Sequence, residues 1–118
     1  MKSKDEIVRD WLPRYTGRSL GEFGQYVLLV NFSNYVELFA ERFGVPVVGR
    51  DKPMLSATAE NITILSFGMG SAMAATTMDL LSAAAPKAVL FLGKCGGLKK
   101  TKVGDFVLPI AEIGRAHV

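Results

Sequence analysis

Apolar-rich runs alternate along the chain with longer segments that mix apolar and polar residues at helical spacing. The runs cover Tyr26–Val30 and residues 61–67 and 88–92, and such runs are typical of strands buried on both faces. The segments between them predict helices over 33–43 and 72–85. This alternation favours an α/β fold with a central, largely parallel β-sheet flanked by helices and joined by right-handed crossovers.

Capping residues predict where the helices begin and end. Ser3, with Glu6 three positions on, has the form of a capping box, and Pro13 is expected to end this first helix. Ser33 is expected to cap the second helix and Gly44 to close it. Short strands are predicted as well, over residues 45–48, 54–58 and 106–108.

Composition narrows the class of protein. The chain has 118 residues, of which 49% are hydrophobic and 21% charged, which suits one small domain with a buried core. A net charge of +3 on scattered Lys and Arg residues gives no nucleic-acid footprint. We expect no signal peptide or membrane span, because the apolar runs are too short. The single cysteine, Cys95, suits a reducing compartment, so a cytoplasmic protein is expected.

The last seven residues are unusual. Residues 112–118 match, in one reading frame, the translation of a common sequencing adapter. We therefore expect a non-native tail there and a native sequence that stops near Ala111. His117, the only histidine, is assigned no role on this basis.

Three loops leave the carboxyl ends of the predicted strands, where open α/β sheets bind ligands. They cover residues 31–34, 68–71 and 93–97. In the second loop, Gly68 and Gly70 let a ligand approach the backbone, and the helix that follows presents free N–H groups to an anion or a sugar oxygen. The Ser71 hydroxyl adds a possible hydrogen bond. The alternative is a tight turn with Ser71 as a helix cap.

The chain lacks required residues of two common phosphate-binding motifs. A dinucleotide fingerprint would need a third glycine where the chain has Met73, and an acidic residue after the next strand. A Walker A loop would need Gly-Lys-Ser/Thr after its glycines, and none follows. A Rossmann dehydrogenase and a P-loop NTPase are therefore excluded.

Two further residues are candidates with competing interpretations. Arg50 lies in a polar turn, and its guanidinium matches phosphate through a bidentate fork; the alternative is a solvated turn charge. Cys95 has neither a CxxC partner nor a nearby histidine, so we expect no metal and no nucleophile there. The glycines around it, in residues 93–97, would let a flat base lie against the main chain; the alternative is that Cys95 is a small buried thiol beside a turn.

Several motifs in this order resemble the nucleoside phosphorylase and nucleosidase superfamily. The resemblance covers nearly all of residues 5–111, and segments 11–17 (WLPRYTG) and 49–54 (GRDKPM) resemble its AMP-hydrolysing branch. The superfamily motifs are ATAENITI at 57–64, FGMGS at 67–71, LGKCGGL at 92–98 and VGDFVLP at 103–109.

The resemblance implies a fold and an activity. Residues 1–111 would be the N-terminal part of one α/β domain around a mixed sheet, assembled into homo-oligomers, usually hexamers. The whole protein would hydrolyse the N-glycosidic bond of AMP to adenine and ribose 5-phosphate without a metal or organic cofactor. A phosphorylase or a nucleosidase that acts on unphosphorylated nucleosides remains an alternative, as does a non-catalytic nucleotide-binding module.

The resemblance also implies roles for individual residues. Gly68, Gly70 and Ser71 would face the ribose and its anion, Cys95 and Gly96 would lie along the base, and Arg50 would contact phosphate, either that of the substrate or a separate one. In this family the arginine often acts across a dimer interface.

Departures from the family pattern refine the expected reaction. Phosphorolytic members carry arginines where this chain has Tyr35 and Phe91, which favours water over phosphate as the attacking group. The proton-donating aspartate and the ribose-binding Met-Glu pair belong to the C-terminal half of the family and have no counterpart in residues 1–111. We therefore expect the 118-residue chain to be catalytically silent and to fold poorly or aggregate on its own.

Overall fold

A computed structural model describes residues 1–111, so the expected tail at 112–118 lies outside the described residues. The described part contains a sheet of four strands in the order β2-β3-β1-β4. β1 pairs in parallel with both β3 and β4, whereas β2 pairs antiparallel with β3. The mixed, largely parallel sheet confirms the predicted fold class. The strands are β1 (Tyr26–Val30), β2 (Leu55–Ala59), β3 (Ile62–Ser66) and β4 (Ala88–Phe91).

Three helices cover the two faces of the sheet. α1 (Lys4–Thr16) and α3 (Ser71–Leu81) pack against each other on one face, and α2 (Ser33–Phe43) packs on β2 and β3 on the other. Short 3-10 turns follow α1, at Leu20–Glu22, and α3, at Ser82–Ala84. None of the helices within residues 1–111 has the length and apolar character needed to cross a membrane.

The strands divide their side chains between two cores, because successive residues of a strand point to opposite faces. Leu29 and Leu65 pack under α1 and α3 with Leu12. Val30 and Ile64 pack under α2 on the other face. Burial on both faces explains why β1 and β3 are largely apolar. The prediction that the run at 88–92 is buried on both faces is wrong, because β4 lies at the edge of the described sheet and is mostly exposed.

The first helix begins as predicted but ends later. The Ser3 hydroxyl oxygen accepts the Glu6 N–H at 3.2 Å, as a capping box requires. The prediction that Pro13 ends the helix is wrong, since α1 continues to Thr16. Its last turn is held by the Thr16 hydroxyl, which donates to the Leu12 carbonyl at 2.8 Å, and by the Gly17 N–H, which donates to the Pro13 carbonyl at 2.8 Å.

The ends of the other two helices also differ in detail from the prediction. Ser33 is the first residue of α2, with Phe32 at the N-cap, so the predicted serine cap is wrong. Gly44 closes α2 in the left-handed conformation as predicted, with φ of 63°. α3 ends at Leu81 rather than at residue 85.

Two predicted strands do not form within the described residues. In segment 45–48, only Val48 pairs, through a single antiparallel bridge to Ser56. Segment 106–108 forms no strand, and Phe106 and Leu108 are exposed. A strand exists only where a neighbour exchanges backbone hydrogen bonds with it, and no described strand lies beside this segment.

We predict that Leu65→Ala lowers the free energy of unfolding by about 2–5 kcal/mol, because it opens a cavity at a fully buried position of β3. Chemical denaturation followed by circular dichroism measures the loss. Leu38→Ala is the matched control on α2, since this side chain is 58% exposed, and its effect should stay within about 0.5 kcal/mol. Equal losses in the two variants would contradict this assignment of the core.

Candidate functional site

All three predicted loops leave the same edge of the sheet, because β1, β3 and β4 are parallel, and the first two meet there. β1 and β3 are parallel neighbours, with Val30 opposite Ser66 at their carboxyl ends. The loops that follow therefore leave the sheet side by side. The Asn31 side-chain amide donates to the Gly68 carbonyl oxygen at 2.7 Å and joins them.

A third segment, residues 49–54, reaches the same edge because β2 is antiparallel. β2 begins at Leu55, which lies opposite Ser66 at the end of β3. The residues that precede β2 therefore arrive beside the carboxyl end of β3. The Gly49 carbonyl accepts the Lys52 N–H at 2.9 Å, which forms the turn that presents Arg50.

The segment that carries Arg50 is anchored at both ends. Val48 and Ser56 exchange backbone hydrogen bonds of 2.8 and 2.9 Å, which close the loop at its base. The Met54 N–H donates to the Tyr15 carbonyl at 3.0 Å, and the Met54 side chain is fully buried in the core beneath α1. Arg50 is thus an exposed side chain on a well-anchored backbone.

These segments enclose an open cleft of about 410 Å³. Its lining is mainly polar and draws on the loop after β1, the first turns of α2, the segment before β2 and the end of β3. The lining residues are Asn31, Ser33, Glu37, Gly49, Arg50, Lys52, Pro53, Leu55, Ser66 and Gly68.

Two helices begin at this edge without a side-chain cap. Phe32 and Gly70 occupy the N-cap positions of α2 and α3, and neither makes a side-chain capping hydrogen bond. The N–H groups of a helix's first turn lack partners within the helix and carry a partial positive charge. Both helix ends therefore favour an anion near the cleft.

The glycines of the second loop leave open space in front of the backbone. Gly68 and Gly70 have φ values of 86° and 95°, which other residues rarely adopt. A Cβ atom built on either glycine would meet no heavy atom within 4 Å. Their conformation explains the choice of glycine, and the free space leaves the main chain accessible to a ligand.

Arg50 forms a bidentate ion pair with Glu37 of α2. Its two terminal nitrogens donate to the two carboxylate oxygens at 2.5 and 3.0 Å. The hydrogen bond from Arg50 holds the pKa of the Glu37 carboxyl below its ordinary value, and the same contact raises the pKa of the guanidinium. The sequence allowed two interpretations of Arg50, a phosphate ligand or a solvated turn charge, and neither includes Glu37 as its partner.

The predicted site residues fall into two groups. Arg50 and Gly68 line the cleft, and Gly70 and Ser71 follow at the start of α3. The alternative that made Ser71 a helix cap is wrong, because Gly70 occupies the N-cap and Ser71 is the first helical residue.

The second group lies on the loop after β4. Cys95 and Gly96 are exposed, so the alternative of a buried thiol at Cys95 is wrong. Neither residue lines the cleft, since β4 flanks β1 on the side away from β3. Lys94 in the same loop approaches α2, with its Nζ 5.9 Å from the centroid of the Tyr35 ring. Within residues 1–111, no three His, Cys, Asp or Glu side chains cluster as metal ligands.

The sequence predicted no individual role for Asn31, Lys52 and Glu37, which are among the polar residues of the cleft, although Asn31 lies in a predicted loop. Asn31 had a usable signal, because an amide directly after a buried strand lies at the ligand-binding edge of an α/β sheet. Lys52 had a weaker signal in its place two residues after Arg50. Glu37 had none, because its pairing with Arg50 depends on how α2 packs against the segment before β2.

Comparisons with known proteins place this geometry in a family. The sequence profile of the phosphorylase superfamily matches residues 25–117, and the chain belongs to this superfamily. A crystal structure of AMP nucleosidase from Bacteroides thetaiotaomicron VPI-5482 is similar, with 61% identity and a TM-score of 0.78. The match covers 81% of this chain and 42% of that chain.

Curated relatives carry the same name. AMP nucleosidase of Escherichia coli (strain K12) is 25% identical over an alignment 145 positions long, gaps included, which covers 91% of this chain and 30% of that protein. AMP nucleosidase of Escherichia coli O157:H7 matches with the same identity and coverage. The chain thus spans about a third of the length of these curated relatives.

We predict that Gly49→Ala lowers the free energy of unfolding by about 1–3 kcal/mol, as strained backbone typically does. Gly49 has φ of 92°, and an added Cβ would lie 2.5 Å from the Met54 carbonyl oxygen and 2.7 Å from that of Thr16. Denaturation measures the loss, and amide chemical shifts should change around Arg50. Gly21→Ala, whose Cβ meets nothing within 4 Å, is the control; a comparable loss there would contradict the prediction.

Proposed function

We propose that this chain supplies the phosphate- and ribose-binding part of a nucleosidase that hydrolyses the N-glycosidic bond of AMP to adenine and ribose 5-phosphate. The observation that carries the proposal is the cleft at the carboxyl edge of the sheet, where Arg50 and Lys52 line the same cleft as the uncapped first turn of α2, and where α3 begins shortly after the lining residue Gly68. The names of the similar proteins support AMP as the substrate.

The charge of the cleft supports a phosphorylated substrate. A phosphate monoester carries close to two negative charges at neutral pH and offers three acceptor oxygens. Lys52, the fork of Arg50 and the first-turn N–H groups of α2 and α3 all interact favourably with such a group. A nucleoside without a 5′-phosphate would lack the negative charge that these groups attract, so AMP is proposed over adenosine.

Two aromatic residues support water as the attacking group. The resemblance places the arginines of phosphorolytic relatives at the positions of Tyr35 and Phe91. In this chain Phe91 instead packs edge-on against Phe67, with ring centroids 6.0 Å apart. A second guanidinium for inorganic phosphate is absent at these two positions, which favours hydrolysis over phosphorolysis.

The remaining parts of the substrate are assigned to the glycine-containing loops. We assign the ribose to Gly68, Gly70 and Ser71, and the base to Cys95 and Gly96 of the loop after β4. No metal or organic cofactor enters the proposed reaction. The whole protein is proposed to be a cytoplasmic homo-oligomer, a hexamer as in its family, in which residues 1–111 form the N-terminal part of one domain.

Cleavage of the N-glycosidic bond needs a proton donor, and the carboxylate that lines the cleft is not free to act as one. The departing purine must be protonated while positive charge on the ribosyl group is stabilised. Among residues 1–111, Glu37 is the carboxylate that lines the cleft, and it is engaged by Arg50. We therefore propose that the 118-residue chain binds AMP without hydrolysing it, and that its two buried cores keep it folded for this purpose, in contrast to the poor folding expected from the sequence.

We predict that the chain binds AMP and ribose 5-phosphate more tightly than adenosine, and that Lys52→Gln weakens AMP binding about two- to fivefold because it removes one exposed charge. Titrations followed by amide chemical shifts measure the affinities, and chromatography of the mixtures detects adenine. Lys87→Gln is the matched control, because Lys87 is an exposed lysine at the opposite end of the sheet, just before β4.

Three results would count against the proposal. Equal affinity for AMP and adenosine would show that the cleft does not recognise phosphate. Equal weakening by Lys52→Gln and Lys87→Gln would place the phosphate elsewhere. Release of adenine by the 118-residue chain would overturn the proposal that it lacks catalytic activity.

A further inference from the structure

The ion pair between Arg50 and Glu37 lies inside the candidate anion cleft. Both residues belong to its lining, although they are thirteen residues apart and come from different elements. Two parallel hydrogen bonds join them, so the two terminal nitrogens of the guanidinium are already engaged by an acceptor. Those nitrogens are the ones that would hold a phosphoryl group in the usual bidentate arrangement.

The ion pair contributes little to holding the loop in place. The side chains of Arg50 and Glu37 are 65% and 45% exposed, and ion pairs this exposed contribute little to stability. The backbone of the loop is already anchored by the Val48–Ser56 bridge and by buried Met54. Removal of the Glu37 charge should therefore leave the fold intact.

The pair changes the charge that an incoming anion meets. Arg50 and Lys52 are the basic residues of the lining, and Glu37 is its acidic residue. With Glu37 bound to Arg50, their charges cancel and the lining is left with the single positive charge of Lys52. An anion recovers the charge of Arg50 only when Glu37 moves away from it.

We propose that Glu37 is an internal counter-ion of Arg50 that a phosphoryl anion displaces, and that it thereby sets the anion affinity of the cleft. The inference rests on the proposed function, because it assumes that Arg50 serves an anion. Glu37 is half exposed, so its carboxylate can swing into water without a burial penalty. When the anion leaves, Glu37 returns to Arg50, which favours release of a phosphorylated product.

The chemistry recognised is a phosphoryl dianion, which a phosphate ester and inorganic phosphate both present. We predict that Glu37→Gln tightens the binding of ribose 5-phosphate and inorganic phosphate about two- to fivefold, the range expected for an exposed ion pair. Titration of the 118-residue chain followed by amide chemical shifts measures both affinities, and the dispersion of the spectra verifies folding. An equal increase in affinity for both ligands would show that the cleft recognises the phosphoryl group alone. An increase confined to ribose 5-phosphate would show that it recognises the phosphate ester. Both results support the proposal.

Two further variants separate displacement from a general effect of charge. Glu41→Gln is the matched control, since Glu41 lies one turn further along α2, is exposed, and forms no salt bridge within residues 1–111; it should leave both affinities unchanged. In an Arg50→Gln background, Glu37→Gln should lose most of its effect, because coupled residues are not additive. Glu37→Asp keeps the negative charge, but its shorter side chain weakens the bidentate hydrogen bonding to Arg50, so this variant should also bind the anions more tightly. It serves as the test if Glu37→Gln does not fold.

The failures of the two proposals are distinguishable. If neither probe shifts the amides of Asn31, Ser33 and Gly68 in any variant, the anion cleft itself is wrong and the proposed function falls with it. If the unmodified chain binds the probes but Glu37→Gln leaves the affinity unchanged, weakens it, or is matched by Glu41→Gln, the cleft stands and the role of Glu37 is overturned.

Discussion

The parallel pairing of β1 with β3 is the constraint on which the rest of the molecule depends. Parallel neighbours deliver their carboxyl ends, and the helices that follow, to one edge of a sheet. α2 and α3 therefore begin beside each other, although one helix lies on each face. The loops between strand and helix are short, and the hydrogen bond from Asn31 to Gly68 joins them. The positive field at this edge is thus a consequence of topology.

The antiparallel strand β2 completes the site. A tight reversal at Glu60 and Asn61, both with positive φ, turns β2 into β3. Because the two strands run in opposite directions, the start of β2 lies beside the end of β3, and Arg50 is brought to the edge where the helices begin. In a purely parallel arrangement, the segment before β2 would have entered at the opposite edge. The departure from the parallel pattern is therefore what brings Arg50 and Lys52 to the cleft.

The sequence predicted secondary structure correctly where a residue pattern has a single physical cause. Apolar runs predicted β1, β3 and β4, but burial on both faces accounts for the pattern only in β1 and β3, since β4 is a largely exposed edge strand of the described sheet. The sequence was less informative where structure depends on a neighbour: the segment at 106–108 has strand character but no described strand to pair with. Pro13 was misjudged because tertiary packing and the bond from Thr16 sustain the last turn of α1. The contact between Glu37 and Arg50 depends on packing in the same way.

The residues that line the cleft are synthesised before the last helix and strand of the described part of the chain. Every residue that lines the cleft falls between positions 31 and 68, before α3 and β4. A chain growing on the ribosome therefore contains all of these walls before its fourth strand has been made. Under the proposed function, a phosphorylated ligand would favour the nascent chains in which β1, β2 and β3 have already assembled, because ligands stabilise whichever states bind them.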